Sequence, residues 1–232
     1  ATHTHTILSQ QHTRTPSHHP VSMQGRTDYS EEGRKLIARL KEAGAIGRPG
    51  GYNPMDLIYA DPTTGGKIFV GNQTAARAAD QHPEKITHVV NCTDDMPNYC
   101  ERNPAMNYLK FNVSYWQSGG TSRGFERRPD GDIIKWLDDS VFSFVNGALS
   151  KGENVLVHCL AGAHRAGTTG VLLLMHKTGM GAEEATRAAK ELRSAINPIC
   201  DFPKLLALYE ENRHLSTWSV PPAGHGAATP PP

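Results

Sequence analysis

In the stretch ENVLVHCLAGAHRAGTTG, residues 153–170, Cys159 stands six residues before Arg165, with Gly162 between them. The apolar run NVLVHC reads as a buried strand, and a helix-like segment follows the arginine. A loop that leaves such a strand and opens a helix is where α/β folds hold ligands. Gly162 lets the backbone curl so that successive N–H groups turn inward, an anion nest reinforced by the positive end of the next helix. The planar fork of Arg165 suits two oxygens of a phosphate. Cys159 sits at the floor of this positive cradle, where a thiolate is favoured. A thiolate facing a phosphate monoester is a nucleophile for phosphoryl transfer. His158 is expected to fix the loop by hydrogen bonding, and His164 to add a titratable charge or to face solvent.

The rest of the chain must build that strand and helix. It has 232 residues, a formal charge of +1, and mean hydropathy of -0.49. That length suits one domain plus polar appendages. So small a net charge gives no sign of a nucleic-acid partner, and none is expected. Cys92, Cys100, Cys159 and Cys200 lack the spacing of a disulfide framework, which fits a reducing compartment, cytoplasmic or nuclear. No apolar stretch approaches bilayer length, so no membrane association is expected.

Residues 1–27, rich in Thr, His and Ser, read as a disordered tail, and residues 217–232, rich in Pro, as another. Residues 28–52 form an N-terminal helix and connection, with Ser30 as its N-cap and Gly44 as its stop. Residues 53–216 form the main domain. KIFVG, ITHVVNCT and NYLKFNV read as strands, and QTAARAADQ as a short helix. A polar loop over 114–131 leads to a helix over 132–149, capped by Asp132. After NVLVHC come helices over 166–177, 182–194 and 202–214. Strands alternating with helices give an α/β class with a central, mostly parallel sheet flanked by helices.

VHCLAGAHRAGTT resembles the signature loop of the cysteine-dependent protein tyrosine phosphatase superfamily, and the chain's length resembles its dual-specificity branch. NPMDLIYADPTTGGKIFVGNQTAARA, ITHVVNCT, NYLKFNVSYW and LRSAINPICDFPKLLALYEE are similar to that branch's successive elements, in order. The resemblance implies a single domain with a phosphate-binding loop between strand and helix, no metal and no other cofactor. It implies a phosphocysteine on Cys159, with phosphate held by Arg165 and the segment His158, Leu160, Ala161, Gly162, Ala163 and His164. The implied substrates are phosphotyrosine and phosphoserine/threonine in proteins. A phosphoglucan, phosphoinositide or RNA end is the alternative, as is a phosphate-binding module with little turnover. The oligomeric state stays open.

Two departures from the pattern stand out. Ala166 occupies a place commonly Ser or Thr, which predicts slower breakdown of the intermediate. The family's proton-donating Asp follows the strand that KFNV ends, where this chain has Ser114, Tyr115 and Trp116. RRPDG resembles a Pro-Asp mobile loop, so Asp130 is taken as the general acid, with Glu126 next and Asp132 as the helix cap. Arg123, Arg127 and Arg128, interleaved with Tyr115, Trp116 and Phe125, make either a solvated loop or a lid over an acidic or ring-bearing substrate. Cys92 and Cys100 are core filler or partners for oxidised Cys159.

Overall fold

The computed structural model describes residues 27–48, 51–118 and 130–218, with Ser118 and Asp130 described by their backbone alone. Most of both tails, with Glu126 and the arginine-rich loop, lies outside the described residues.

Five strands form one sheet in the order β1-β2-β5-β3-β4. They are β1 (Met55–Ala60), β2 (Lys67–Gly71), β3 (Ile86–Asn91), β4 (Asn107–Lys110) and β5 (Asn154–His158). All neighbours run parallel except β1, which pairs antiparallel with β2 at the edge. In β5 only Asn154, at its start, is not fully buried. Such burial follows from helices on both faces of the sheet and explains the run of Val and Leu. The carboxyl end of β5 therefore opens at the middle of the sheet, between β2 and β3.

On one face, α5 (Arg165–Thr178) is buried through most of its length. Gly170 lets it lie flush on the sheet, since a methyl there would come within 2.6 Å of Val70 and 3.1 Å of Ile58. Around α5 pack α6 (Ala182–Leu192), α7 (Phe202–Asn212) and the pair α3 (Asp130–Leu137) and α4 (Ser143–Leu149). A π-helical stretch over Asp138–Phe142 joins α3 to α4. The other face carries the short α2 (Gln73–Arg77), capped by the Asn72 side chain.

Several boundaries differ from the sequence reading. β1 was not read as a strand, because Pro54 and Asp56 interrupt its apolar pattern at an edge. Asp132 does not cap α3: the helix begins at Asp130, which puts Asp132 inside the first turn. Nor does Ser30 cap α1 (Tyr29–Glu42). Asp28 does so, accepting from the Ser30 and Glu31 amides at 2.9 and 3.0 Å. Thr217, assigned to the tail, is tied to the domain through hydrogen bonds to Asp138.

His176 on α5 is 3% exposed, with its ring stacked on Phe142 at 4.1 Å. Its Nε2 accepts from Asn146 at 3.0 Å, and its Nδ1 lies 3.1 Å from the Tyr209 hydroxyl. Burial pushes its pKa down from 6.5 to about 4. Between those values the unfolded chain binds a proton that the folded one refuses, so stability falls as pH drops through this window. Urea unfolding is expected to show this contribution, up to roughly 3 kcal/mol, vanish between pH 7 and 4. His176→Gln should flatten that part of the slope; an unchanged slope would show that His176 does not titrate in this way.

Candidate active site

The segment from Cys159 to Arg165 is held from outside, carbonyl by carbonyl. Leu160 O accepts from the Gln73 amide at 3.1 Å, and Ala161 O from the Tyr52 hydroxyl at 2.6 Å. Gly162 O accepts from Arg193 Nε at 3.0 Å. Ala163 O accepts from the Asn197 amide at 3.0 Å, and His164 O from the Thr168 amide at 2.8 Å. Every carbonyl from Leu160 to His164 thus has a donor outside the loop. Among the described residues, none of the N–H groups of these five residues donates to a protein acceptor. Buried amides need partners, and amides left open beside Arg165 suit the oxygens of an anion.

Gly162 makes the curl, with φ of +62°. A methyl there would overlap the Gly71 carbonyl at the end of β2 and come within 2.8 Å of Arg193 Nη2. Both the left-handed backbone and the close approach require glycine.

Arg193 organises the outer side. It is 2% exposed and pairs with Asp56 of β1 at 2.5 Å. It donates to the carbonyls of Asn53, Ala161 and Gly162, and its guanidinium lies 5.1 Å from the Tyr52 ring centre. Tyr52 in turn accepts from Asn72, the α2 cap, at 3.0 Å. Burial raises the Tyr52 pKa, which keeps its hydroxyl a donor. Arg193, Tyr52 and Asp56 did not emerge from the sequence, because nothing in their spacing signals that they meet the loop.

Inside the cradle, Cys159 is 3% and Arg165 6% exposed. Arg165 Nη2 donates to the Ser30 hydroxyl of α1 at 2.9 Å, while its buried Nε meets no acceptor among the described residues. Helix α1 sits directly on the loop: a methyl on Gly33 would lie 3.4 Å from Leu160. Tyr29 stacks on Phe202 of α7 at 4.4 Å. The N-terminal helix is therefore a wall of the site. A cavity of about 350 Å³ opens over Arg165, with Asp28, Ser30, Asp94, Asp95 and Tyr115 in its lining. A larger groove of about 590 Å³ runs between α6 and α7 and includes no residue of the loop.

His158 is fully buried, and among the described residues no side chain reaches either ring nitrogen within hydrogen-bond distance. Burial pushes its pKa down to about 4, partly offset by the Cys159 backbone. His164 does not face solvent: it is 5% exposed, and its Nδ1 donates to the Asn197 carbonyl at 2.8 Å. Trp116 is 7% exposed and belongs to the core, so it offers no ring to a substrate. Cys92 is buried with Thr169 at 3.6 Å, and its thiol is pushed up to about 12 by burial. Cys100 lies in a separate apolar cluster on the other side of the sheet. Asp130 begins α3, but its side chain, like the whole of Glu126, lies outside the described residues.

Arg193→Lys keeps the charge and loses the fork that holds two loop carbonyls at once. It is expected to weaken binding of inorganic phosphate at least about 10-fold in calorimetric titration. Unchanged affinity would show that the loop holds its curl without this clasp.

Comparison with known proteins agrees with this geometry. Residues 68–212 match the family described as dual specificity phosphatase, catalytic domain. The chain is 32% identical over 154 residues to dual specificity protein phosphatase 22 of Xenopus laevis, covering 65% of this chain and 66% of that one. It is 31% identical over 153 residues to human dual specificity protein phosphatase 9, covering 63% of this chain and 36% of that one. The match thus spans about two-thirds or less of these relatives' lengths. Among solved structures, human DUSP28 superposes with a TM-score of 0.51 at 21% identity, covering 70% of this chain and 96% of that one. The chain belongs to the dual specificity phosphatases, a branch of the protein tyrosine phosphatase superfamily.

Proposed function

We propose that this protein hydrolyses phosphate monoesters through a phosphocysteine on Cys159, acting on phosphotyrosine and phosphoserine/threonine in proteins. The observation that carries this reading is the buried Arg165 Nε without an acceptor, beside five loop amides whose carbonyls are all tied from outside. A buried guanidinium nitrogen left bare is costly, and a phosphate oxygen would satisfy it.

In the first step the Cys159 thiolate attacks phosphorus, the ester P–O bond breaks, and the alcohol leaves with a proton given by a carboxylic acid of the site. In the second, that carboxylate takes a proton from the water that attacks phosphorus, the S–P bond breaks to restore the thiolate, and inorganic phosphate leaves. Arg165 and the amides of Leu160, Ala161, Gly162, Ala163 and His164 hold the equatorial oxygens throughout, where charge spreads in the transition state. Protein substrates are supported by the relatives' names, and a reducing, cytoplasmic setting fits the four free cysteines. Asp130 remains the sequence's candidate proton donor, so the proposal here stands on Cys159 and Arg165.

Ala166 and Thr168 bear on the second step. Ala166 is fully buried and brings no hydroxyl, while the Thr168 hydroxyl donates to the His164 carbonyl at 2.7 Å. The proposal therefore includes a second step slower than the first.

With p-nitrophenyl phosphate, Cys159→Ser is expected to lose more than about 1,000-fold in kcat/KM. Arg165→Ala should lose roughly 100-fold or more. Wild type should release a burst of nitrophenolate before its steady rate. Hydrolysis that survives Cys159→Ser would overturn the mechanism. Phosphopeptides left intact beside a rapidly hydrolysed phosphoinositide or phosphoglucan would overturn the protein substrate.

A further inference from the structure

We propose that Asp94, on the loop after β3, is the residue that protonates the leaving oxygen when the phosphoryl group passes to Cys159. This rests on the phosphocysteine reading above and names its missing acid.

Topology brings Asp94 to the site. Strands β3 and β5 are parallel neighbours with Asn91 opposite His158, and the Cys92 amide donates to His158 O at 2.8 Å. The chain leaving β3 therefore emerges beside the chain that carries Cys159. Asp94 lines the cavity over Arg165.

The backbone around it is pinned. Asn91 Oδ1 accepts from the Thr93 amide and hydroxyl at 3.1 and 2.7 Å, and Asn91 Nδ2 donates to Met96 O at 3.0 Å. Lys110 Nζ donates to Thr93 O at 3.2 Å and also to Met96 O. Residues on both sides of Asp94 are thus fixed from β3 and β4.

The carboxyl itself is oriented. Its Oδ2 accepts from Asn112 Nδ2 at 2.9 Å and from the Tyr115 hydroxyl. A neutral carboxyl keeps one acceptor oxygen, so both bonds persist whether or not Asp94 is protonated. Oδ1 is then the atom that carries the proton. Tyr115 stands in the stretch after β4 where the family resemblance expects an Asp. Here that stretch supplies a phenol that holds a carboxyl from the neighbouring loop.

Asp95 shares the lining of that cavity, but among the described residues no hydrogen bond orients its carboxyl as Asn112 and Tyr115 orient that of Asp94. Asp28 is occupied as the α1 cap, and the Glu31 amide, first among several partners, holds its carboxyl below the usual range. The Asp130 side chain and the whole of Glu126 lie outside the described residues, so the assignment rests on the placement of Asp94 itself.

In the first step, Asp94 Oδ1 gives its proton to the ester oxygen as the S–P bond forms and the P–O bond breaks, leaving a carboxylate. In the second, that carboxylate takes a proton from the water whose oxygen attacks phosphorus, and the S–P bond breaks to restore the Cys159 thiolate. Both steps balance without a further reactant.

The test compares p-nitrophenyl phosphate, whose leaving group needs little protonation, with phenyl phosphate, whose leaving group needs much. Full-length wild type, Asp94→Asn, Asp95→Asn, Asp130→Asn and Cys159→Ser are assayed across pH. Asp94→Asn is expected to lose about 100-fold or more on phenyl phosphate and less than about 10-fold on p-nitrophenyl phosphate. The high-pH decline of the phenyl phosphate rate should disappear with it. Protection of the fold by inorganic phosphate, read by thermal shift, should persist in Asp94→Asn. Equal losses on both substrates, no loss, or the leaving-group signature in Asp95→Asn or Asp130→Asn instead would overturn the assignment of Asp94 alone. Absence of any Cys159-dependent hydrolysis by wild type would overturn the phosphatase reading and this proposal with it.

Discussion

The loop between β5 and α5 keeps its shape because its carbonyls have donors elsewhere, and most of the surrounding architecture can be understood as placing those donors. The end of β2 and the start of α2 bring the Gln73 amide. The approach to β1 brings Tyr52, and β1 itself brings Asp56, which orients Arg193. The segment after α6 brings Asn197. These donors come from parts of the chain far apart in sequence, so the curl is a tertiary product. A seven-residue segment with glycine at its centre would not hold five amides open by itself, because each backbone group would satisfy itself with water instead. Such fixed dipoles need little reorganisation when charge arrives, which is where much of the catalytic benefit of a preorganised site lies.

The same economy extends to the cavity above. Arg165 lies at the junction of the loop, α5 and α1, and its two faces differ: one nitrogen rests on the Ser30 hydroxyl, another is bare. Loops from β3 and β4 form the facing wall, knitted together by Lys110, Asn91, Asn112 and Tyr115. Asp94 and Asp95 on that wall and Asp28, the cap of α1, line the cavity together with Arg165.

The sequence showed the chemistry more clearly than its support. Cys159, Gly162 and Arg165 lie within one short segment, so spacing alone conveys their role, and the strand before and helix after are marked by plain hydrophobic pattern. The parallel sheet was legible from β-branched runs separated by helical ones. Edge features were not: β1 alternates weakly, since an edge strand needs only partial burial. Side-chain partnerships across more than a hundred residues, such as Ser30 with Arg165 or Asp56 with Arg193, leave no local trace. The burial of Trp116 leaves no trace either, because it is an aromatic in a polar stretch that turns back into the core.

Helix α1 and strand β1 both precede the segment by which the family is recognised, residues 68–212. Yet Ser30, Tyr52 and Asp56 all lie in that earlier part, touching the arginine or clasping the loop directly or through Arg193. The unit defined by likeness among relatives is therefore smaller than the unit that holds the site in shape. A fragment cut at the family boundary would retain every residue of the signature and lose the edge strand, one wall of the cavity and the counter-ion of its main clasp. For this chain, kinship and mechanical integrity have different borders.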